Sequence, residues 1–210
     1  MEKDKRGKYE IPALVDLRKA QLTKAAFSVV SERGYYNFTM MDIAKEAGVS
    51  SGLVHYYFKN KQGLLLNLLR EMQENVRKKL YEALQKAQTP LEELEIFIEE
   101  AFTIIERNPN YFYVMFDFLT QIKRNKQMKE MMKKLYQSYR SVLSMILQKG
   151  IDKKVFMKLD VNYLSVLIIS LVQSTVIQYM IDNEAFSYKD YADKVKQSIF
   201  SIVLNNKQIV

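Results

Sequence analysis

Residues 39–59 read TMMDIAKEAGVSSGLVHYYFK, and the punctuation of this stretch decides the fold. Thr39 and Asp42 stand in the S/T-x-x-D/E spacing of a capping box, so a helix begins at Met40, and Gly48 stops it after Ala47. Ser50 is the next N-cap candidate and opens a further helix through Phe58. Two helices of roughly eight residues joined by a turn at Gly48-Val49 have the form of a helix-turn-helix. Ile43, Ala44 and Ala47 face inward from the first, Val49 fills the turn, and Val54 and Phe58 face inward from the second. A residue larger than Ala44 would hold the pair apart.

The outward face of the second helix carries Ser51, Gly52, His55 and Tyr56, all small or hydrogen-bonding and none acidic. A recognition helix presents such residues to base edges in the major groove. Helix starts at Thr39 and Ser50 offer backbone N–H groups to phosphates, Lys59 and Lys61 follow as phosphate clamps, and Tyr56 or Tyr57 adds a hydroxyl. The competing reading is a pair of surface helices with solvated ends.

Working outward, Leu14, Leu17, Leu22, Ala25, Ala26, Val29 and Val30 form a stripe at helical spacing that ends at Gly34, a C′ residue. Residues 1–13 form a polar tail. Downstream, Asn60 caps a long helix with Leu65, Leu68, Leu69, Met72, Val76, Leu80 and Leu84 on its buried side, reaching about Ala87. Thr89-Pro90 opens the next. Further helices are expected near 90–107, 110–123, 126–149, 160–183 and 187–205, with joints at Pro109, Gly150 and 182–187. The fold class is all-α: a three-helix head in residues 1–62 and a helical bundle in 63–210.

Composition agrees. Six glycines and three prolines in 210 residues are too few for many short strands, and four of those glycines (Gly34, Gly48, Gly52, Gly63) fall within thirty residues. With no cysteine, disulfides, thiolate zinc sites, Fe–S clusters and cysteine nucleophiles are excluded. The single histidine, His55, makes a His-cluster metal site impossible within one chain and has no acid or nucleophile beside it for general-base work. No catalytic constellation and no cofactor motif is present, so an enzyme is the weakest class. The net charge of +8 suits a polyanion. Met1 to Glu10 is charged throughout and lacks the apolar core of a secretory leader, which predicts a cytoplasmic protein.

The run Thr39…Ile43-Ala44…Ala47-Gly48-Val49-Ser50…Gly52…Tyr56-Tyr57-Phe58-Lys59-Asn60-Lys61…Leu64, with the helix before it and its Gly34-Tyr35 end, resembles the TetR family of bacterial transcriptional repressors. The resemblance implies a homodimer with one DNA-binding head per subunit and a C-terminal bundle that binds a small-molecule inducer. It implies that Ser51, Gly52, His55 and Tyr56 face bases and that Thr39, Ser50, Tyr57 and Lys61 contact phosphate of a double-stranded operator.

Residues 111–118, YFYVMFDF, are the densest aromatic run in the chain. With Phe97, Phe102, Met131, Met132, Tyr136, Tyr139 and Met145 at helical spacings nearby, they form either plain core or an apolar ligand cavity. Phe97, Phe102, Tyr113, Phe116, Asp117, Met132, Tyr136 and Tyr139 are the candidate lining. Asp117 between two phenylalanines suggests a cationic ligand held by carboxylate and rings. Against it, Lys123, Arg124, Lys126, Lys129, Lys133 and Lys134, opposed only by Glu130, form either a solvated face or an entrance for an anionic ligand such as an acyl thioester. Both readings stay open.

Residues 161–181 contain no charge, but Asn162, Ser165, Ser170, Gln173, Ser174, Thr175 and Gln178 argue against a membrane span and for a helix buried on nearly all sides. Ser170, Ser174 and Gln178 at i, i+4 spacing permit close approach of another helix. With Tyr188, Tyr191, Val195, Ile199 and Ile202, helices 160–183 and 187–205 would supply half of a two-fold four-helix interface. The sequence thus reads as a ligand-responsive, DNA-binding transcriptional regulator, a repressor released when a small hydrophobic effector binds. The alternative is an all-helical lipid- or small-ligand-binding module without DNA function.

Overall fold

Side-chain caps set most of the helix starts. The structure, a computed structural model, describes residues 12–204, and in them the chain runs through α1 (Pro12–Arg33), α2 (Met40–Glu46), α3 (Ser51–Phe58), α4 (Lys61–Leu84), α5 (Pro90–Arg107), α6 (Asn110–Thr120), α7 (Lys126–Asp152), α8 (Val161–Ile181) and α9 (Tyr188–Val203). No strand occurs among the described residues. Of the polar tail expected over residues 1–13, residues 1–11 lie outside them, as does the end of the last helix at 205, while Pro12 and Ala13 already belong to α1. Thr89 accepts the N–H of Glu92 at 3.2 Å ahead of Pro90. Asp160 accepts those of Asn162 and Tyr163 at 2.9 and 3.0 Å, and Ser187 accepts that of Asp190. Each satisfies a donor that the first helical turn leaves orphaned.

Gly150 does not break α7, which continues to Asp152. A Cβ there would lie 2.0 Å from Cδ2 of Phe156, so the glycine admits a ring. The chain reverses instead at Lys154, in the left-handed region at φ +58°, and Val155 and Phe156 both donate to the carbonyl of Gly150. Nor is α8 buried on nearly all sides. Leu164, Ser165, Ile168, Ile169, Val172 and Val176 face inward, while Tyr163 and Ile181 are 63% and 80% exposed. The helix is long and apolar enough to cross a membrane, with a mean hydropathy of 1.8 over its most apolar window.

The chain divides into two compact units. One comprises the residues up to Glu74 together with Asn110–Met131; the other comprises Asn75–Pro109 and the residues from Met132 onward. In the first, Leu22, Ala26 and Val30 of α1, Ile43 of α2, Val54 of α3, Leu64, Leu65 and Leu68 of α4 and Phe118 of α6 are sealed from water. Each large side chain so buried contributes about 1.5–3 kcal/mol. Leu14 and Leu17, expected in the same stripe, are instead 45% and 67% exposed. The compact unit that holds α1–α3 also takes in the first half of α4 together with α6, which packs against α1.

In the second unit, α5 packs against α8 and α9. Leu94, Phe97, Ile98, Phe102 and Ile105 supply its buried face. Lys149 pairs with Glu93 at 2.6 Å, and Lys196 pairs with Glu95 and Glu99 at 3.0 and 2.6 Å, which raises the Lys196 pKa.

Candidate nucleic-acid interface

The Thr39–Asp42 capping box forms in full. Thr39 Oγ1 accepts the N–H of Asp42 at 3.2 Å, and Asp42 Oδ2 accepts the N–H and the hydroxyl of Thr39 at 2.7 and 2.8 Å. Arg33 donates to the other carboxylate oxygen at 2.8 Å. Hydrogen bonds from Thr39, then the Arg33 guanidinium, hold the Asp42 carboxyl below the ordinary carboxylate range. At its far end α2 is tied to α1 by Gln21, whose amide donates to the carbonyl of Ala47 at 2.9 Å.

Between the helices Gly48 adopts φ +65° with nothing within 4 Å of where a Cβ would stand. Backbone conformation, not crowding, demands glycine there. Val49 donates to Ala44 at 2.9 Å, and Ser50 caps α3 by accepting from the N–H of Leu53 at 3.3 Å. Ile43, Ala44, Val54 and Phe58 are buried as the spacing predicts; Ala47 and Val49 are half-buried.

On the outer side Thr39, Ser50, Gly52, His55 and Lys59 are exposed, and Ser51, Tyr56 and Tyr57 are half-buried. The rings of Tyr56 and Tyr57 meet edge-on at 5.1 Å. His55 Nδ1 lies 3.3 Å from the carbonyl of Lys59. The tautomer with its proton on Nδ1 donates to that carbonyl and leaves Nε2 as an acceptor. Lys59 closes α3 at φ +54°, and Asn60 restarts the chain by accepting from the N–H of Gly63 at 2.8 Å. A Cβ on Gly63 would sit 2.6 Å from the Phe58 carbonyl, so this turn requires glycine too.

Lys61 departs from the sequence reading. Its ammonium donates to the carbonyls of Tyr36 and Phe38, both at 2.9 Å, and lies 3.9 Å from the centre of the Phe38 ring. Burial pushes its pKa down. With two of three donors turned inward, Lys61 braces the α1–α2 turn and is not an unencumbered phosphate clamp. Sequence reading also missed the bonds that hold this turn to α6: Tyr35 N–H to Asp117 Oδ2 at 2.9 Å and Tyr36 Oη to Gln121 Oε1 at 2.7 Å. They join residues 82 and 85 positions apart, for which no local signal exists.

The eight candidate ligand residues divide between the two units. Tyr113, Phe116 and Asp117 belong to the first, where Tyr113 is 52% exposed and Asp117 serves Tyr35. Phe97, Phe102 and Met132 are buried in the second. There Tyr136 accepts from Gln173 at 2.9 Å and meets Tyr139 edge-on at 6.4 Å. Tyr188 donates its hydroxyl to the Phe102 carbonyl at 2.7 Å, and burial drives its pKa upward. Met145, grouped with the cavity by spacing, is 65% exposed. It lines an open groove of about 730 Å³ with Ser141, Ser144, Gln148 and Asn162, and none of the eight reaches that groove. Among the described residues no group of three or more His, Asp or Glu side chains gathers to hold a metal.

Residues 22–68 match the sequence model of bacterial regulatory proteins of the tetR family, and residues 69–202 match that of the C-terminal region of YsiA-like proteins. The chain is 26% identical over 186 residues to the fatty acid metabolism regulator protein of Bacillus subtilis, covering 88% of this chain and 95% of that one. It is 33% identical over 116 residues to the HTH-type transcriptional regulator BetI of Agrobacterium fabrum, covering 55% and 56%. Among solved structures, FadR of Bacillus subtilis in complex with stearoyl-CoA superposes with a TM-score of 0.77 at 25% identity, over 87% of this chain and 98% of that chain. A transcriptional regulator from Saccharomonospora viridis in complex with choline gives 0.84 at 20% identity, over 91% and 100%, a likeness of fold.

Proposed function

Because this chain belongs to the tetR family of bacterial regulatory proteins and is a ligand-responsive, DNA-binding regulator of transcription, we propose that it is a cytoplasmic, homodimeric repressor. The observation that carries the DNA-binding reading is the capped α2–α3 pair, whose second helix bears Ser51, Gly52 and His55 outward and no acidic residue. A Cβ on Gly52 would meet no side chain nearer than Ser50 Oγ at 4.0 Å, so a duplex can approach the backbone. In the major groove, Nε2 of His55 accepts from an exocyclic amine of adenine or cytosine, and Ser51 and Tyr56 offer hydroxyls to base edges. Thr39, Ser50, Tyr57 and Lys59 contact phosphates, and Lys61 positions the head.

The open face of α8, with Tyr163, Val166, Ser170 and Ser174 exposed in the single chain, supports dimerisation through α8 and α9. Two heads so joined read half-sites of a palindrome about 34–36 Å apart. An effector that favours a different separation lowers operator affinity by its differential affinity for the two arrangements. We infer a long-chain acyl thioester as that effector. The near-full-length likeness to a fatty acid metabolism regulator and to a stearoyl-CoA complex supports this, as does the buried apolar set Phe97, Phe102 and Met132. The engagement of the Asp117 carboxylate with Tyr35 weakens a cationic alternative.

A gel shift with duplexes selected by the protein from a randomised pool tests the reading. Tyr56→Ala is expected to weaken binding without unfolding the chain, and stearoyl-CoA, but not choline, is expected to release the duplex. Release by choline alone would overturn the effector assignment.

A further inference from the structure

The turn between α6 and α7 bears Lys123 and Arg124, and the first two turns of α7 add Lys126 and Lys129; Glu130 is the one carboxylate in residues 120–131. All four cations are solvent-exposed. Among the described residues none of them forms an ion pair, whereas Arg33, Arg107, Lys149 and Lys196 each meet a carboxylate within 3.0 Å. This basic surface therefore lacks the interspersed acids found elsewhere on the molecule.

Its position is fixed. Residues 110–131 belong to the same compact unit as α2 and α3. Tyr36 Oη donates to Gln121 Oε1 at 2.7 Å, and the Gln62 amide donates to Gln127 Oε1 at 3.1 Å. Gln62 directly follows Lys59, Asn60 and Lys61, so the first turn of α7 lies beside the first turn of α4, where the candidate interface ends. The cationic turn thus adjoins the start of α4 through the Gln62–Gln127 bond.

We propose that the α6–α7 turn is a second DNA-contacting element, in which Lys123, Arg124, Lys126 and Lys129 bind phosphates flanking the segment that α3 reads. It rests on the reading of α2–α3 as the DNA-binding pair and extends it. Such contacts add affinity and salt dependence without sequence information, because every duplex presents the same phosphates.

The test compares the wild-type chain with a variant carrying Lys123→Gln, Arg124→Gln, Lys126→Gln and Lys129→Gln, and with Arg124→Gln alone. The probes are duplexes of about 40 base pairs selected from a randomised pool by the wild-type protein, and a set trimmed to the two half-sites. The slope of log affinity against log salt is expected to shrink by about 0.9 for each phosphate that the variant no longer neutralises, with unchanged base preference and a smaller effect for Arg124→Gln. Trimming the flanks should abolish the difference between variant and wild type. An unchanged slope on the long duplex overturns the proposal, and so does an unchanged slope accompanied by a weakened response to stearoyl-CoA, which would assign the surface to an anionic effector. The α2–α3 reading fails separately, if Tyr56→Ala retains wild-type affinity.

Discussion

Oδ2 of Asp117 accepts the main-chain N–H of Tyr35 at 2.9 Å and stands 3.4 Å from the place a Cβ would occupy on Gly34. Helix α1 thus ends against α6: Gly34 turns the chain at φ +75° and donates to Val30 at 2.8 Å, and the next N–H, freed from the helix, finds the carboxylate. Removing the acceptor orphans a half-buried donor. Asp117→Ala is expected to lower stability in urea by about 1–3 kcal/mol, and Asp117→Asn, which keeps an acceptor, by less. Equal stability of all three proteins would show that the bond contributes nothing.

At Gly150 the issue is space. An added methyl lands within 2.0 Å of the Phe156 ring, so Gly150→Ala should cost about 1–3 kcal/mol of overpacking. Shortening the ring partner with Phe156→Leu should make the alanine better tolerated. Thermal melting of the four combinations measures that coupling directly.

Acid should loosen the head through Asp42. Its folded pKa is depressed by the Thr39 hydrogen bonds and then by Arg33, so its stabilisation is present above the ordinary carboxylate range and is lost as pH falls through the folded value. Between about pH 5 and about pH 2.5 the wild-type chain should lose more stability than Asp42→Asn. Thr39→Ala, which removes the cap itself, should cost about 1 kcal/mol at neutral pH. Urea midpoints across that pH range provide the check.

Replacing Lys61 by methionine keeps an unbranched side chain but removes the ammonium from over the Phe38 ring and leaves the carbonyls of Tyr36 and Phe38 without their donor. A loss of about 1–2 kcal/mol is expected by chemical denaturation. Weaker DNA binding by this variant would then follow from a loosened α1–α2 turn as well as from the missing charge. Lys59→Gln, at an exposed position, is the cleaner probe of a phosphate contact.

The helix-turn-helix was legible because its signals are local. Thr39 and Asp42 are three residues apart, Ser50 and Leu53 likewise, and Gly48 is demanded by its own backbone angle. Such signals survive in any tertiary context that lets the helices form, so the bounds of α3 agree with the spacing to the residue. The stripe assigned to α1 was legible only in part. Periodicity placed Leu14 and Leu17 on the same face as Leu22, yet both remain in water. A helix face is buried only where another element covers it, and periodicity does not say where cover ends.

By itself, then, the sequence determined an all-helical chain, the capped α2–α3 pair and the outward residue set on α3, because each depends on neighbours within a turn or two. Only the tertiary structure decided that Lys61 faces inward, that Asp117 serves the N–H of Tyr35, and that Gly150 makes room for Phe156. The first two partnerships link residues 23 or more positions apart, and the third depends on a chain reversal at Lys154. A charge, a carboxylate or a missing methyl takes its role from the groups that packing brings within about 3 Å, and spacing along the chain does not encode them.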